Sequence, residues 1–212
     1  MLIYFVRHGI TPDNKVKRFQ TSETPLAPEG EVQAQKLAQR LKDTTIDELW
    51  TSPMARAHKT AEFINQYHQL ELKPQPLLAE MKRATSLQGK MKNDPSIENV
   101  SRFLEDKETY DPNLRFEDGE SYADVITRCR KIVKVLAKRA AEVPEDHLLC
   151  VTTHGMLLVT LFLVLQLGEA ATPETCAFAL RHLKVENTSL TIARMDQKGD
   201  YKILTFSDFA HL

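Results

Sequence analysis

Arg7, His8, Arg56, Glu80 and His154 come from four separate places in the chain, and together their side chains could carry out phosphoryl transfer. A neutral histidine nitrogen can attack phosphorus, and passing through a phosphohistidine divides one difficult transfer into two easier ones. His8 is the candidate nucleophile. The equatorial oxygens of a transferring phosphoryl group need charge neutralisation, which the guanidinium forks of Arg7 and Arg56 can supply, with His154 if it is protonated. A leaving alkoxide needs a proton. Glu80 can give it where low polarity or nearby negative charge keeps the carboxyl protonated, and the same group can then activate water for the second step.

These side chains need a scaffold that brings them together. The apolar run Leu2 to Val6 stops at Arg7-His8-Gly9, the pattern of a buried strand opening into a phosphate-sized turn. His147 to Thr153 repeats it: a second buried strand is ended by His154-Gly155, and the apolar stretch Met156 to Leu167 follows as a buried helix. Strand, polar turn and helix recurring in this way predict a parallel sheet with both histidines at carboxyl ends of strands, on one side. A strand at about Ile46 to Thr51, ending in Trp50 that should pack beneath the site, leads to Ser52-Pro53. That pair predicts a cap and a first-turn proline, with Ala57, Thr60, Ala61, Ile64 and Tyr67 inward. Arg56 would then lie in the first turn, where a cation opposes the helix dipole by up to about 1 kcal/mol. A bound anion would remove the conflict.

The remaining segments are predicted as surroundings for that turn. Thr11 to Ser22, with Asn14, Arg18 and Gln20, has the composition of a binding loop. Pro28 begins a helix with Ala34, Leu37, Ala38 and Leu41 on one face, poorly capped by Ala27. Between about residues 80 and 118 the pattern weakens around Lys82, Arg83, Lys90 and Lys92, with a short helix from Pro95 capped by Asp94, and this stretch is expected to cover one end of the sheet. Ser121 and Asp124 have capping-box spacing at the start of a long helix whose inward positions are Val125, Cys129, Ile132, Val133, Leu136 and Ala140. Asn187 to Met195 and Tyr201 to Phe206 alternate as a hairpin about Lys198-Gly199-Asp200.

The 212 residues contain no linker-like break, so one domain spanning 1–212 is expected. Lys and Arg (28) nearly balance Asp and Glu (29), which argues against a broad nucleic-acid or anionic-membrane footprint. Any affinity for anions must be local. Cys129, Cys150 and Cys176 lie in apolar segments without metal-ligand spacing and fit packing in a reducing compartment. No secretory leader is evident, so a cytoplasmic location is expected, and the longest apolar stretch falls short of the ~20 residues of a membrane helix. Neither spacing nor composition implies a metal, nucleotide or flavin, and no cofactor is expected. The other histidines, His58, His68, His147, His182 and His211, receive no role.

Taken jointly and in order, the motifs resemble the histidine phosphatase superfamily, the phosphoglycerate mutase-like group. Arg7-His8-Gly9 with Thr11 and Asn14 looks like the phosphohistidine loop, and Pro25-Leu26, Gly30 and Gln33-Ala34 like the helix start that follows. Ser52-Pro53-Met54-Ala55-Arg56-Ala57 with Thr60-Ala61 looks like the second-arginine motif. Leu78-Ala79-Glu80 resembles the acid/base segment, Gly119-Glu120-Ser121 the later helix start, and His154-Gly155 the second-histidine motif. The resemblance implies a three-layer α/β/α sandwich with a mostly parallel mixed sheet and metal-independent phosphoryl transfer via His8. On it, Arg7, Asn14, Gln20, Arg56, His154 and Gly155 are expected to contact phosphate. Ile10, Thr21 and Met156 depart from common family residues, as does the segment after Glu80, so the substrate is not inherited with the motif set.

The expected activity is a phosphomonoesterase for a small phosphorylated metabolite, with Lys82 and Arg83 as contacts for a second anionic group. The alternatives are a phosphoglycerate mutase dependent on 2,3-bisphosphoglycerate and an inactive phosphate-binding scaffold. The chain is short for a mutase. Oligomeric state, monomer or homodimer, stays open.

Overall fold

A computed structural model describes residues 1–97 and 114–212; the part of the expected excursion between them lies outside the described residues. The sheet runs β3-β2-β4-β1-β5-β6. Its parallel part comprises β1 (Leu2–Arg7), β2 (Glu48–Thr51), β3 (Leu72–Pro74) and β4 (Leu148–Thr153). The hairpin of β5 (Leu190–Met195) and β6 (Tyr201–Asp208) joins antiparallel against β1. Central strands are apolar on both sides because helices cover both faces. β4 is buried at every position.

One face carries α2 (Pro28–Leu41) and α3 (Ala55–Asn65), whose Leu37, Leu41, Ala61 and Ile64 close over Val6, Leu49 and Cys150. The other carries α4 (Tyr122–Glu142), α5 (Gly155–Leu167) and α6 (Pro173–His182), which pack on Ile3, Phe5, Leu149 and Val151. Alternate residues of one strand thus feed two cores, giving the three-layer α/β/α sandwich with its mixed sheet. Ser121 and Asp124 make both hydrogen bonds of the capping box at the start of α4, while Ala27 caps α2 with no side-chain bond, both as the sequence predicts. All three cysteines are free and buried, and burial pushes the Cys150 thiol up to about 12.

Several local expectations change. Thr11 to Ser22 is not all loop, because Thr11 caps a one-turn helix, α1 (Pro12–Lys15). α3 starts at Ala55 with Met54 at the cap, two residues later than the Ser-Pro signal suggests, since the Ser52 hydroxyl faces His154 as well as the Met54 amide. Tyr67 lies past the end of α3 and is exposed. The segment from Pro95 is a single 3-10 turn. Trp50 is buried in the core on the α4 side of the sheet, and its indole donates to Glu48 Oε2 at 2.9 Å. α6 is not predicted from the sequence, its buried residues Cys176, Ala177 and Ala179 being small and Phe178 exposed.

Candidate active site

The carboxyl ends of β1 and β4 lie side by side, Arg7 paired with Thr153, so His8 and His154 leave the sheet together. Their rings stand 5.1 Å apart between centroids. The turn after β1 is fixed by close backbone approach: a Cβ on Gly9 would lie 2.4 Å from the Gly30 carbonyl oxygen, and one on Gly30 would lie 2.0 Å from that of Ile10. Only glycine fits either position. The Gly9 amide donates to Thr60 Oγ1 at 3.2 Å, Ile10 to Gln33 Oε1 at 2.9 Å, and Ala27 to the Ile10 carbonyl at 2.9 Å. From the hairpin side, Asn187 Nδ2 donates to the His8 carbonyl and the Thr188 amide to that of Arg7.

His8 Nδ1 lies 2.7 Å from the Gly9 carbonyl, which accepts its hydrogen and leaves the lone pair on Nε2. Arg56 Nε donates to that Nε2 at 3.3 Å. Burial, then the guanidinium groups of Arg56 and Arg7, holds His8 well below the usual histidine range, so the ring is neutral. Arg56 is itself buried, lowered to about 10 by burial, and anchored by Nη1 to the Thr21 carbonyl at 2.8 Å. Arg7 Nη1 donates to the Val185 carbonyl at 2.5 Å, while its buried Nε has no protein partner. A Cβ on Gly155 would come within 3.1 Å of that Nε.

His154 differs from expectation. Its Nε2 pairs with Ser52 Oγ at 2.8 Å, its Nδ1 is buried without a partner, and burial followed by Arg56, His8 and Arg7 lowers its pKa well below normal. It is a neutral hydrogen-bonding group here, not a third cation. Glu80 is seated on backbone amides: Oε1 accepts from Met81 and Leu157, each at 3.0 Å, and Oε2 accepts from Met156 at 3.2 Å. The last two amides belong to the opening turn of α5.

A cavity of about 700 Å³ opens onto these groups. Arg7, His8, Asn14, Gln20, Arg56, Glu80, Lys82, Arg83 and Gly155 all line it, and His154 lies fully buried behind. Asn14 spends its side-chain oxygen on the Thr11 amide, and Gln20 Oε1 is buried without a partner. Of the two expected second-anion contacts, Lys82 turns its ammonium to Asp118 at 2.9 Å, whereas among the described residues Arg83 reaches only the Met156 sulfur, at 4.0 Å. Apolar walls come from Val159, Leu180, Leu183 and Val185. The contributions of Val185, of Ser52 as partner to His154 and of Arg128 on α4 were not read from the sequence. Among the described residues no helix is long and apolar enough to cross a membrane, and no group of three His, Cys, Asp or Glu is placed to hold a metal ion.

A family model described as "Histidine phosphatase superfamily (branch 1)" matches residues 3–208. A relative from Erwinia tasmaniensis named "Probable phosphoglycerate mutase GpmB" is 29% identical over 218 residues, covering 99% of this chain and 94% of that one. In structure the chain is similar to Bacillus stearothermophilus YhfR, with TM-score 0.82, 23% identity and coverage of 99% and 98%. It is also similar to the alpha-ribazole phosphatase from Shigella flexneri, with TM-score 0.77, 23% identity and coverage of 99% and 97%.

Proposed function

The chain belongs to branch 1 of the histidine phosphatase superfamily, and on that premise we propose that it is a metal-independent phosphomonoesterase acting on small phosphorylated metabolites. The carrying observation is the tautomer of His8: Nδ1 is committed to Gly9, and the lone pair on Nε2 sits beside Arg56. In the first step the Arg56 Nε–H turns from Nε2 to a phosphoryl oxygen, Nε2 attacks phosphorus while the ester P–O bond breaks, and the Glu80 carboxyl passes its proton to the departing alkoxide. In the second step the Glu80 carboxylate takes a proton from water, the water oxygen attacks phosphorus, and the P–N bond breaks to restore neutral His8. Arg7 and Arg56 bind the phosphoryl oxygens, and His154 donates from Nδ1. Asn14, Gln20 and Gly155 line the phosphate end.

Phosphate release from an aryl phosphate and a panel of phosphorylated metabolites, with chelator present, tests this. Turnover in the wild type, lost in His8→Ala, together with a base-stable, acid-labile phosphoenzyme on His8 supports it. Absence of both would overturn it. A second reading, a mutase, is favoured by the name of the Erwinia relative. A coupled assay separates them: a mutase interconverts 2- and 3-phosphoglycerate faster than it releases phosphate.

A further inference from the structure

Arg128 is a cation on the inward side of α4, between Val125 and Ile132 and next to Cys129, all buried. Its side chain is 13% exposed. The guanidinium forks onto Glu120, Nε to Oε1 at 3.0 Å and Nη2 to Oε2 at 2.8 Å. Nη1 turns the other way and donates to the carbonyls of Leu77 and Ala79 at 2.8 and 2.5 Å. Thr153 Oγ1 holds the carbonyl between them, that of Leu78, at 2.6 Å. Glu120 completes the clamp: its Oε2 accepts from the Lys82 amide and its own amide donates to the Lys82 carbonyl, both at 2.8 Å. One ion pair therefore grips the backbone on both sides of Glu80.

The grip matters because the Glu80 carboxyl is seated on the Met156 and Leu157 amides, which belong to a different element. Its position over the cavity depends on keeping residues 77–82 in register with the start of α5. Displacements near 1 Å are enough to spoil a reacting geometry. Arg128 itself does not line the cavity, and its direct hydrogen bonds go to Glu120 and to the backbone of residues 77–80. Stability alone does not explain the pair, because buried ion pairs are often replaced by apolar side chains at little cost.

We propose that Arg128 and Glu120 form a positioning clamp for the acid/base carboxyl of Glu80, governing proton delivery to the leaving group and leaving phosphate binding and attack by His8 untouched. The inference rests on the reading of Glu80 as the acid/base.

The test compares kcat/KM, which reports events up to the first P–O cleavage, for p-nitrophenyl phosphate and for an alkyl phosphate such as glycerol phosphate. The aryl leaving group departs with little need of a proton, and the alkyl one does not. Arg128→Met and Glu120→Gln are expected to lower kcat/KM for the alkyl ester about tenfold or more beyond any loss on the aryl ester, the signature also expected of Glu80→Gln. Arg128→Lys keeps the charge without the fork and restores only part of the alkyl rate. Equal losses on both substrates, or none, in the clamp variants while Glu80→Gln discriminates would overturn the clamp alone. No discrimination in Glu80→Gln would overturn the acid/base reading and the clamp with it. Should Arg128→Met fail to fold, Glu120→Gln, nearly unchanged in volume, decides.

Discussion

The Nε of Arg56 meets the Nε2 of His8 at 3.3 Å, so one hydrogen bond joins the first turn of α3 to the loop after β1. A first-turn cation is out of place beside a helix's own dipole, and here it stays because it faces a lone pair and the Thr21 carbonyl. Replacing Arg56 by Lys preserves charge but loses the planar fork that holds the Thr21 carbonyl and His8 and that is proposed to bind a phosphoryl oxygen. Arg56→Lys is expected to lower kcat by about a hundredfold. Steady-state kinetics on an aryl phosphate check this, and a loss under threefold would contradict it.

Gly155 is the point where α5 starts against Arg7. With Nη1 already tied to Val185, the guanidinium has little room to retreat from a methyl group 3.1 Å from Nε. Gly155→Ala should reduce kcat/KM by about tenfold through misplacement of Arg7, with a small change in stability. Kinetics and a thermal melt on the same sample check it.

The second-anion subsite separates Lys82 from Arg83. Lys82 is engaged by Asp118 and exposed, so Lys82→Ala should leave KM for bisphosphorylated or carboxylated substrates unchanged. Arg83 has no carboxylate partner in the structure described, and Arg83→Ala should raise that KM about fivefold, roughly 1 kcal/mol. Equal effects of the two substitutions would reverse the assignment.

Two buried neutral histidines make folding sensitive to acid. His8 and His154 are both held well below the unfolded histidine value of about 6.5, chiefly by burial. Above that value neither state binds the proton, and their contribution to stability is complete. As pH falls below it the unfolded chain takes up protons the native state refuses, so stability drops by about 1.4 kcal/mol per pH unit for each histidine until its folded pKa is reached. Urea unfolding between pH 7.5 and 5 should give a shallower pH dependence in His154→Gln by about that slope. An unchanged dependence would mean that the ring takes up its proton alike in the folded and unfolded chain.

His8, His154 and Arg56 were legible because each stands at a boundary the hydrophobic pattern itself draws: two strand ends and a helix start. The parallel sheet was legible from the strand, turn and helix order around β1 and β4, while the three-layer arrangement came with the family resemblance. What escaped detection depends on distance along the chain. Lys82 finds Asp118 and Arg7 finds the Val185 carbonyl across 36 and 178 positions, and a main-chain acceptor has no residue type to betray it. Arg128 left a faint trace, a cation three residues after Val125 and four before Ile132 within the apolar stripe. Ser52 was read as a helix cap because that is the commoner use of a serine before proline, and the competing partner lies on another strand.

β1 takes both neighbours, β4 and β5, from the last third of the chain, and the loop carrying His8 is tied down by Asn187 and Thr188. On a ribosome β1 therefore emerges well over a hundred residues before either of its sheet partners, an apolar strand left unpaired until β4 and β5 follow. The order of translation thus makes phosphoryl-transfer competence a late event. Appearance of activity in a translation time course would report closure of the whole sheet, and early chaperone contact would be expected at residues 2–7.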